Sequence, residues 1–305
     1  MYYKYQVLSN IADSIDALNC LCFHIKLREN MAFIIGGCYF QIEKNHDYRF
    51  VCSDTLSISC YQKNKNKKEA MEKIGNALEF FVFLAGAPYD INGGVIESIE
   101  DTLPIINVNL SKKKMLNIQA FEYKYQRIKS KRSLLENSLH LFSVGIKLNY
   151  LFDESDCEDA FLTFFKIIES IVKDTFLIEI NKIDKGVALT QQYVTTILKY
   201  AYKIDTTSDK LSDICGKTNK MLFEYVFDGI YHKIIWFLRK FNIRIDCDKV
   251  SRIVDIRNKI AHGDNIEFRQ YSKEYEYTCE LVYKIILVKF FDLSLPIIGS
   301  TVKIC

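Results

Sequence analysis

An arginine, an amide side chain and a histidine lie close together near the C-terminal end of the chain, in the run Arg257-Asn258-Lys259-Ile260-Ala261-His262. A guanidinium can hold a phosphate group through two parallel hydrogen bonds. An imidazole can give or take a proton near neutral pH. Because RNA supplies its own nucleophile, the 2′-hydroxyl group, a protein that cleaves it needs only to transfer protons and stabilise charge. These residue types at this spacing therefore predict a site that could cut RNA without a metal ion.

The run ends a helix that the sequence predicts over residues 249–262. Asp246 and Asp248 are both candidates for its N-cap, and Gly263 suits the left-handed residue that follows a helix. Arg257 falls within the apolar stripe of this helix, where a charged group is costly unless a partner meets it. Arg257 is therefore either a structural residue paired with a buried carboxylate or a residue that binds a ligand. The stripe itself comprises Val250, Ile253, Val254, Ile260 and Ala261.

Glu169 and Lys173 form a second candidate feature, because they are four residues apart on a helix predicted over residues 158–180. An ordinary ion pair at this spacing stabilises a helix by roughly a few tenths of a kcal/mol, and this alternative remains open. If Glu169 lies beside Arg257, its carboxylate would be the partner that the arginine requires. The two residues flank an apolar stripe made of Phe161, Phe164, Phe165, Ile168, Val172 and Thr175.

The run from Arg257 to His262, followed by Gly263, resembles the R-x4-6-H motif of HEPN domains, in the form with a polar residue directly after the arginine. The surrounding residues 250–265 look most like the ApeA-type branch of HEPN proteins, found in bacterial anti-phage defence. Many HEPN ribonucleases also carry a Glu-x3-Lys/Arg pair on an earlier helix, and Glu169 with Lys173 has that form. The resemblance covers about residues 112–293 and does not extend to the first 110.

The resemblance implies a helical bundle that dimerises to form a composite endoribonuclease site without metal or cofactor. His262 would act as general acid or base, Arg257 would hold the phosphate, Asn258 would orient it or the histidine, and Glu169 would complete the catalytic set. The products would be a 2′,3′-cyclic phosphate and a 5′-hydroxyl. The expected setting is abortive infection, with a toxin that acts on tRNA or mRNA after a phage-derived or host trigger. The alternative is a non-catalytic HEPN dimer that binds RNA, a nucleotide or a protein partner.

Basic residues outside the catalytic set are candidates for RNA binding. Lys173 and Lys259 lie beside the two motifs, and Lys124 and Arg127 belong to a basic run that begins at Lys112. Tyrosines interleave with this run and could stack on bases. The alternative is a solvated helix face. A further cluster of lysines, at positions 63, 65, 67 and 68, is predicted to form a loop that leads into a helix.

The chain as a whole predicts an α+β fold with two domains, residues 1–111 and 112–305. The first is expected to be β-rich with one or two helices and to act as a sensor or recognition module. Its predicted strands cover residues 20–27, 32–43, 48–53, 55–61 and 105–110, with a helix over 67–84. The second has helical periodicity throughout, with helices predicted over 116–131, 133–151, 158–180, 188–202, 220–241, 249–262 and 274–293.

Composition limits the remaining classes of protein. The chain has 305 residues, a net charge of +3 and 26% charged residues, so any basic surface must come from local patterning. Its ten cysteines include no C-x-x-C pair, which argues against a zinc site. The N-terminus lacks the apolar core of a signal peptide, and no run reaches membrane-spanning length. The sequence therefore predicts a cytoplasmic protein that does not associate with a membrane.

Overall fold

The computed structural model describes residues 1–10, 31–44, 55–85, 90–99, 103, 112–151, 154–181, 194–201, 208–264 and 266–292. Contacts within the chain divide it into two compact units. The first unit comprises Met1–Ile167 together with Lys259–Cys305, and the second comprises Ile168–Asn258. The unit boundaries therefore do not follow the predicted division between residues 111 and 112.

The first unit contains a five-stranded antiparallel sheet. Its strands are β1 (Tyr2–Asn10), β2 (Met31–Ile35), β3 (Cys38–Lys44), β4 (Thr55–Lys63) and β5 (Asp90–Ile99), and their order in the sheet is β2-β3-β4-β1-β5. Gly36 and Gly37 form the turn between β2 and β3, with φ values of +60° and +75°, a conformation that glycine adopts without steric cost. The region predicted as one strand over residues 32–43 is thus a hairpin of two strands.

One face of the sheet packs against helix α1 (Lys67–Ala85). Phe81 of this helix stacks on Phe33 of β2 and Phe40 of β3, with ring centroids 6.1 and 5.4 Å apart. Side chains alternate between the two faces of a strand, so the residues beside Phe40 point away from α1. Gln41, on that opposite face, accepts a hydrogen bond from the Tyr61 hydroxyl at 3.4 Å.

The same helix α1 also packs against the helices of the first unit, and this explains why the sheet and those helices share one core. Phe80 stacks on Tyr125 with centroids 4.5 Å apart. Phe83 contacts Phe142 and Tyr283 at 5.3 and 4.7 Å. Burial in this core raises the pKa of the Tyr125 hydroxyl. The helices concerned are α2 (Lys112–Arg127), α3 (Arg132–Leu151), the beginning of α4 (Glu154–Ile180) and α8 (Ser272–Phe291), the last preceded by a 3₁₀ turn at Phe268–Tyr271.

The second unit contains the end of α4 and a group of further helices. An aromatic cluster forms part of its core: Phe176 of α4 contacts Phe223 at 5.1 Å and Trp236 at 5.3 Å. The helix predicted over residues 220–241 is interrupted at Phe227 and Asp228, and a new helix begins at Gly229, whose φ is +79° and whose N–H donates to the Asp228 side chain. The helices are α5 (Ser208–Val226), α6 (Gly229–Lys240) and α7 (Cys247–Ala261), with a π-helical turn at Ile197–Ala201.

These elements confirm the predicted α+β class, with an antiparallel N-terminal sheet followed mainly by helices. The observed bounds of α1, α3 and α4 agree with the predicted helices to within four residues. Strand β1 was not predicted, and α2 ends four residues before the predicted end. The predictions over residues 20–27, 48–53, 105–110 and 188–193 lie outside the described residues. Within the described part of the chain, no helix is long and apolar enough to span a membrane.

Candidate active site

Both ends of α7 are fixed by local hydrogen bonds. The Asp246 carboxylate accepts the Lys249 N–H at 3.1 Å, so Asp246 is the N-cap and Asp248 lies inside the first turn. Gly263 has a φ of +78°, which confirms the predicted left-handed residue after the helix. The Asp264 N–H donates to the Lys259 carbonyl at 3.0 Å, as in a Schellman closure. The helix therefore stops directly before His262.

The apolar face of α7 is buried over its first turns and emerges near its end. Val250, Ile253, Val254 and Ile256 are buried. Ile256 is not part of the predicted stripe, whereas Ala261, which is part of it, is exposed because the last turn is not covered. Arg257 occupies the point at which burial ends, and its side chain is 33% exposed.

Arg257 forms an ion pair with Glu169, which is the partner that the sequence suggested. The Arg257 Nη2 atom lies 3.1 Å from Glu169 Oε1, and the carboxylate side chain is only 18% exposed. The Arg257 Nη1 atom donates to Asn258 Oδ1 at 3.2 Å. The Lys173 ammonium lies 3.9 Å from the same Glu169 oxygen and is 54% exposed. The second unit thus brings together Glu169, Lys173, Arg257 and Asn258.

Helix α4 holds Glu169 through its buried apolar stripe. All six residues predicted to form that stripe are buried: Phe161, Phe164, Phe165, Ile168, Val172 and Thr175. The Thr175 hydroxyl donates to the Ile171 carbonyl at 2.7 Å, so this polar side chain is satisfied inside the helix. The buried neighbours of Glu169 leave its side chain half-buried at the edge of the stripe, where it meets Arg257.

The other predicted site residues lie in the first unit. Lys259 and His262 are exposed, and the His262 N–H donates to the Lys259 carbonyl at 3.1 Å. Lys124 is half-buried, and its ammonium donates to the Phe291 carbonyl at the end of α8. The Arg127 guanidinium lies 4.2 Å from the centre of the Tyr123 ring. Lys124 therefore has a structural contact that the sequence pattern did not reveal, because its acceptor is distant in the chain.

The described residues contain no group of three or more His, Cys, Asp or Glu side chains that could hold a metal ion. Arg257 and Asn258 both carry N–H donors that can bind phosphate oxygens, five in the plane of the guanidinium and two on the amide nitrogen. The Glu169 carboxylate contacts one edge of the guanidinium, at Nη2, and so holds its orientation. The arrangement in the second unit is therefore suited to binding an anion beside a partly shielded ion pair.

Comparison of the chain with models of known protein families, with curated proteins and with solved structures found no match.

Proposed function

We propose that the protein is a metal-independent HEPN endoribonuclease that cleaves RNA to leave 2′,3′-cyclic phosphate and 5′-hydroxyl ends. We further propose that it acts as a toxin in anti-phage defence, with residues 1–111 sensing a phage-derived or host trigger. The observation that carries the proposal is the 3.1 Å contact between Glu169 and Arg257. This contact joins two sequence features that resemble HEPN motifs independently and that are far apart in the chain.

In the proposed reaction Arg257 holds the scissile phosphate. Its contacts with Glu169 and Asn258 use one hydrogen on each of its Nη atoms. The remaining N–H donors of the guanidinium can bind phosphate oxygens and stabilise the charge that develops on them. Glu169 acts as a positioning residue, because it fixes the orientation of the guanidinium before RNA binds.

His262 carries the proton transfers. The 2′-oxygen loses its proton and bonds to phosphorus, while the bond from phosphorus to the 5′-oxygen breaks and that oxygen gains a proton. One imidazole could serve as base and then as acid. A second copy of the chain, related by a two-fold axis, would supply a second histidine and divide the two roles. No step requires a metal ion.

The test compares wild type with His262→Ala and Arg257→Ala on total RNA or tRNA in EDTA. We expect wild-type fragments that end in cyclic phosphate, and a loss of at least roughly 100-fold in rate for His262→Ala, the usual contribution of general acid–base catalysis. His232→Ala is the matched control, since His232 is also exposed but lies on α6. Dependence on a divalent metal, equal cleavage of DNA, or equal rates for wild type and His262→Ala would each contradict the proposal.

A non-catalytic HEPN dimer that binds RNA, a nucleotide or a protein partner is the second candidate. It is favoured by the same ion pair, because a half-buried arginine that meets a carboxylate also fits a purely structural role. The two candidates differ in cells as well as in vitro. The ribonuclease predicts growth inhibition on expression that Arg257→Ala removes, whereas the non-catalytic dimer predicts RNA binding without fragments and no such inhibition.

A further inference from the structure

The segment that runs from the last residue of β4 to the second residue of α1, residues 63–68, concentrates positive charge in the first unit. Four of its six residues are lysines, at positions 63, 65, 67 and 68, and all four are exposed. The whole chain has a net charge of only +3. Residues 63–68 therefore concentrate positive charge on a protein of modest net charge. We call this segment the lysine loop.

The asparagines of the lysine loop give it a defined backbone. Asn64 Oδ1 accepts the N–H groups of Lys65 and Asn66 at 2.7 and 3.1 Å. Asn66 Oδ1 accepts the Lys68 N–H at 2.9 Å, and its carbonyl accepts the Ala70 N–H at 3.0 Å. These bonds cap α1 and hold the loop in one conformation. The backbone is thus satisfied by asparagines, while the lysine side chains remain at the surface.

The surroundings of the lysine loop add further positive charge and little negative charge. The N-terminus of α1, a helix of 19 residues, contributes partial positive charge at the same place. Glu69, in the first turn, is the nearest acidic residue in sequence, and its carboxylate accepts a bond from the Asn64 side chain at 3.4 Å. In the described part of the chain no ion pair joins any of the four lysines to a carboxylate.

The ring of Tyr2 lies beside the lysine loop. The Lys63 ammonium lies 5.6 Å from the centre of the Tyr2 ring, which is half-buried on the neighbouring strand β1. Surfaces that bind single-stranded nucleic acid combine lysines or arginines that follow the phosphates with aromatic rings on which bases stack. A polyanion with repeated phosphates and unpaired bases matches this combination better than a single anion does.

We propose that the lysine loop is a binding surface for the phosphate backbone of single-stranded RNA. The proposal rests on the proposed function in one respect, the choice of RNA as the polyanion that binds. It gives the first unit an RNA contact of its own, made by residues outside the cleavage motif. Lys63, Lys65, Lys67 and Lys68 contact phosphates, and Tyr2 offers a ring for stacking.

The test measures binding of a fluorescent single-stranded oligouridine by anisotropy, in the His262→Ala background so that no RNA is cut. The patch variant changes lysines 63, 65, 67 and 68 to glutamine. The matched control makes the same change at four dispersed exposed lysines, at positions 166, 199, 210 and 273. For the patch variant we expect at least tenfold weaker binding near 0.1 M salt. The slope of log Kd against log salt should fall by about 3, since each phosphate contact contributes roughly 0.7 for a single strand.

A third variant with arginine at all four positions should bind as tightly as the parent, because charge is retained, and circular dichroism checks that every variant is folded. Three results of the RNA-binding assay would overturn the proposal: no RNA binding by the parent, equal loss in the patch and dispersed variants, or no loss in either. Tighter binding to vesicles containing phosphatidylserine than to RNA, lost in the patch variant, would overturn it in favour of a membrane surface. The assay measures binding and not cleavage. Its result can therefore be interpreted even if the protein proves not to be a ribonuclease.

Discussion

At the scale of single residues, the ion pair between Glu169 and Arg257 gives the arginine of the motif a carboxylate partner. Its carboxylate is 18% exposed and its guanidinium 33% exposed, so water screens their attraction only in part. Lys173, at 3.9 Å from the same oxygen and 54% exposed, adds a weaker and better-screened contact. These contacts fit an arginine that is positioned to bind phosphate, and they also fit an arginine with a structural role. A structural role requires that the ion pair contribute to the free energy of unfolding.

We expect a double-mutant cycle with Glu169→Gln and Arg257→Gln to show a coupling of about 1 kcal/mol in the free energy of unfolding. The physical reason is that both side chains are partly buried, so water screens their attraction only in part. Urea unfolding of the four proteins measures the coupling. The exposed Lys217–Asp213 pair on α5, with side chains 72% and 63% exposed, is the control and should show no measurable coupling. Additive effects of Glu169→Gln and Arg257→Gln would mean that the contact is not formed in solution.

At the scale of elements, the end of α7 determines where His262 is presented. The helix stops because Gly263 takes a left-handed conformation and Asp264 donates back to the Lys259 carbonyl. A β-carbon added to Gly263 would meet no atom within 4 Å. The requirement for glycine at this position is therefore conformational and not steric.

Gly263→Ala should lower the free energy of unfolding by about 1–2 kcal/mol, the cost of a left-handed conformation for a residue with a β-carbon. Thermal or urea unfolding measures the change. The control is Gly75→Ala within α1, where a β-carbon also meets nothing within 4 Å but φ is not positive. That substitution should stabilise the protein by up to about 1 kcal/mol, because alanine favours a helix interior. Equal effects of the two substitutions would contradict the assigned role of Gly263.

Close packing between elements provides a second constraint that no local pattern shows. A β-carbon at Gly145 of α3 would lie 2.7 Å from the Phe164 ring of α4, so these two helices approach closely there. Phe142 contacts the same ring at 5.6 Å. The position of α4 in the first unit thus depends on a glycine whose role is visible only when both helices are present.

At the scale of the whole molecule, the predicted boundary between residues 111 and 112 cuts through a shared core. Helix α1 stacks Phe81 on the sheet, and it places Phe80 and Phe83 against rings of α2, α3 and α8. The turn of the β2–β3 hairpin is also fastened to α2, because Gly36 and Gly37 donate to the two Glu122 oxygens at 2.5 and 2.8 Å. Sheet and helices of the first unit should therefore unfold together.

We expect a fragment of residues 1–111 to lack a cooperative urea transition and dispersed amide signals in NMR spectra. The reason is that separation would expose the apolar side of α1 that carries Phe80 and Phe83. Mixing this fragment with residues 112–305 should restore part of the native spectrum. Cooperative unfolding of the isolated fragment would instead support two domains divided at residue 111.

The sequence by itself determined the features that depend on neighbouring residues. Period and capping residues located α1, α3, α4 and α7, and they identified Asp246 and Gly263 as candidates for the two ends of α7. These features follow from backbone hydrogen bonding within a few residues, which is why they can be read locally. The motif run and its likeness to HEPN domains also come from the sequence alone, and they stay predictions.

Tertiary structure decided which distant groups meet. It placed Glu169 beside Arg257, gave Lys124 an acceptor at Phe291, ended the burial of α7 at Arg257, and joined the sheet to the helices through α1. Each of these outcomes depends on packing between segments far apart in the chain, and hydrophobic periodicity shows that a face is buried without showing against what. For that reason the chemistry of the motif and a candidate partner for its arginine could be proposed from residue types, whereas the contact between Glu169 and Arg257 required the fold.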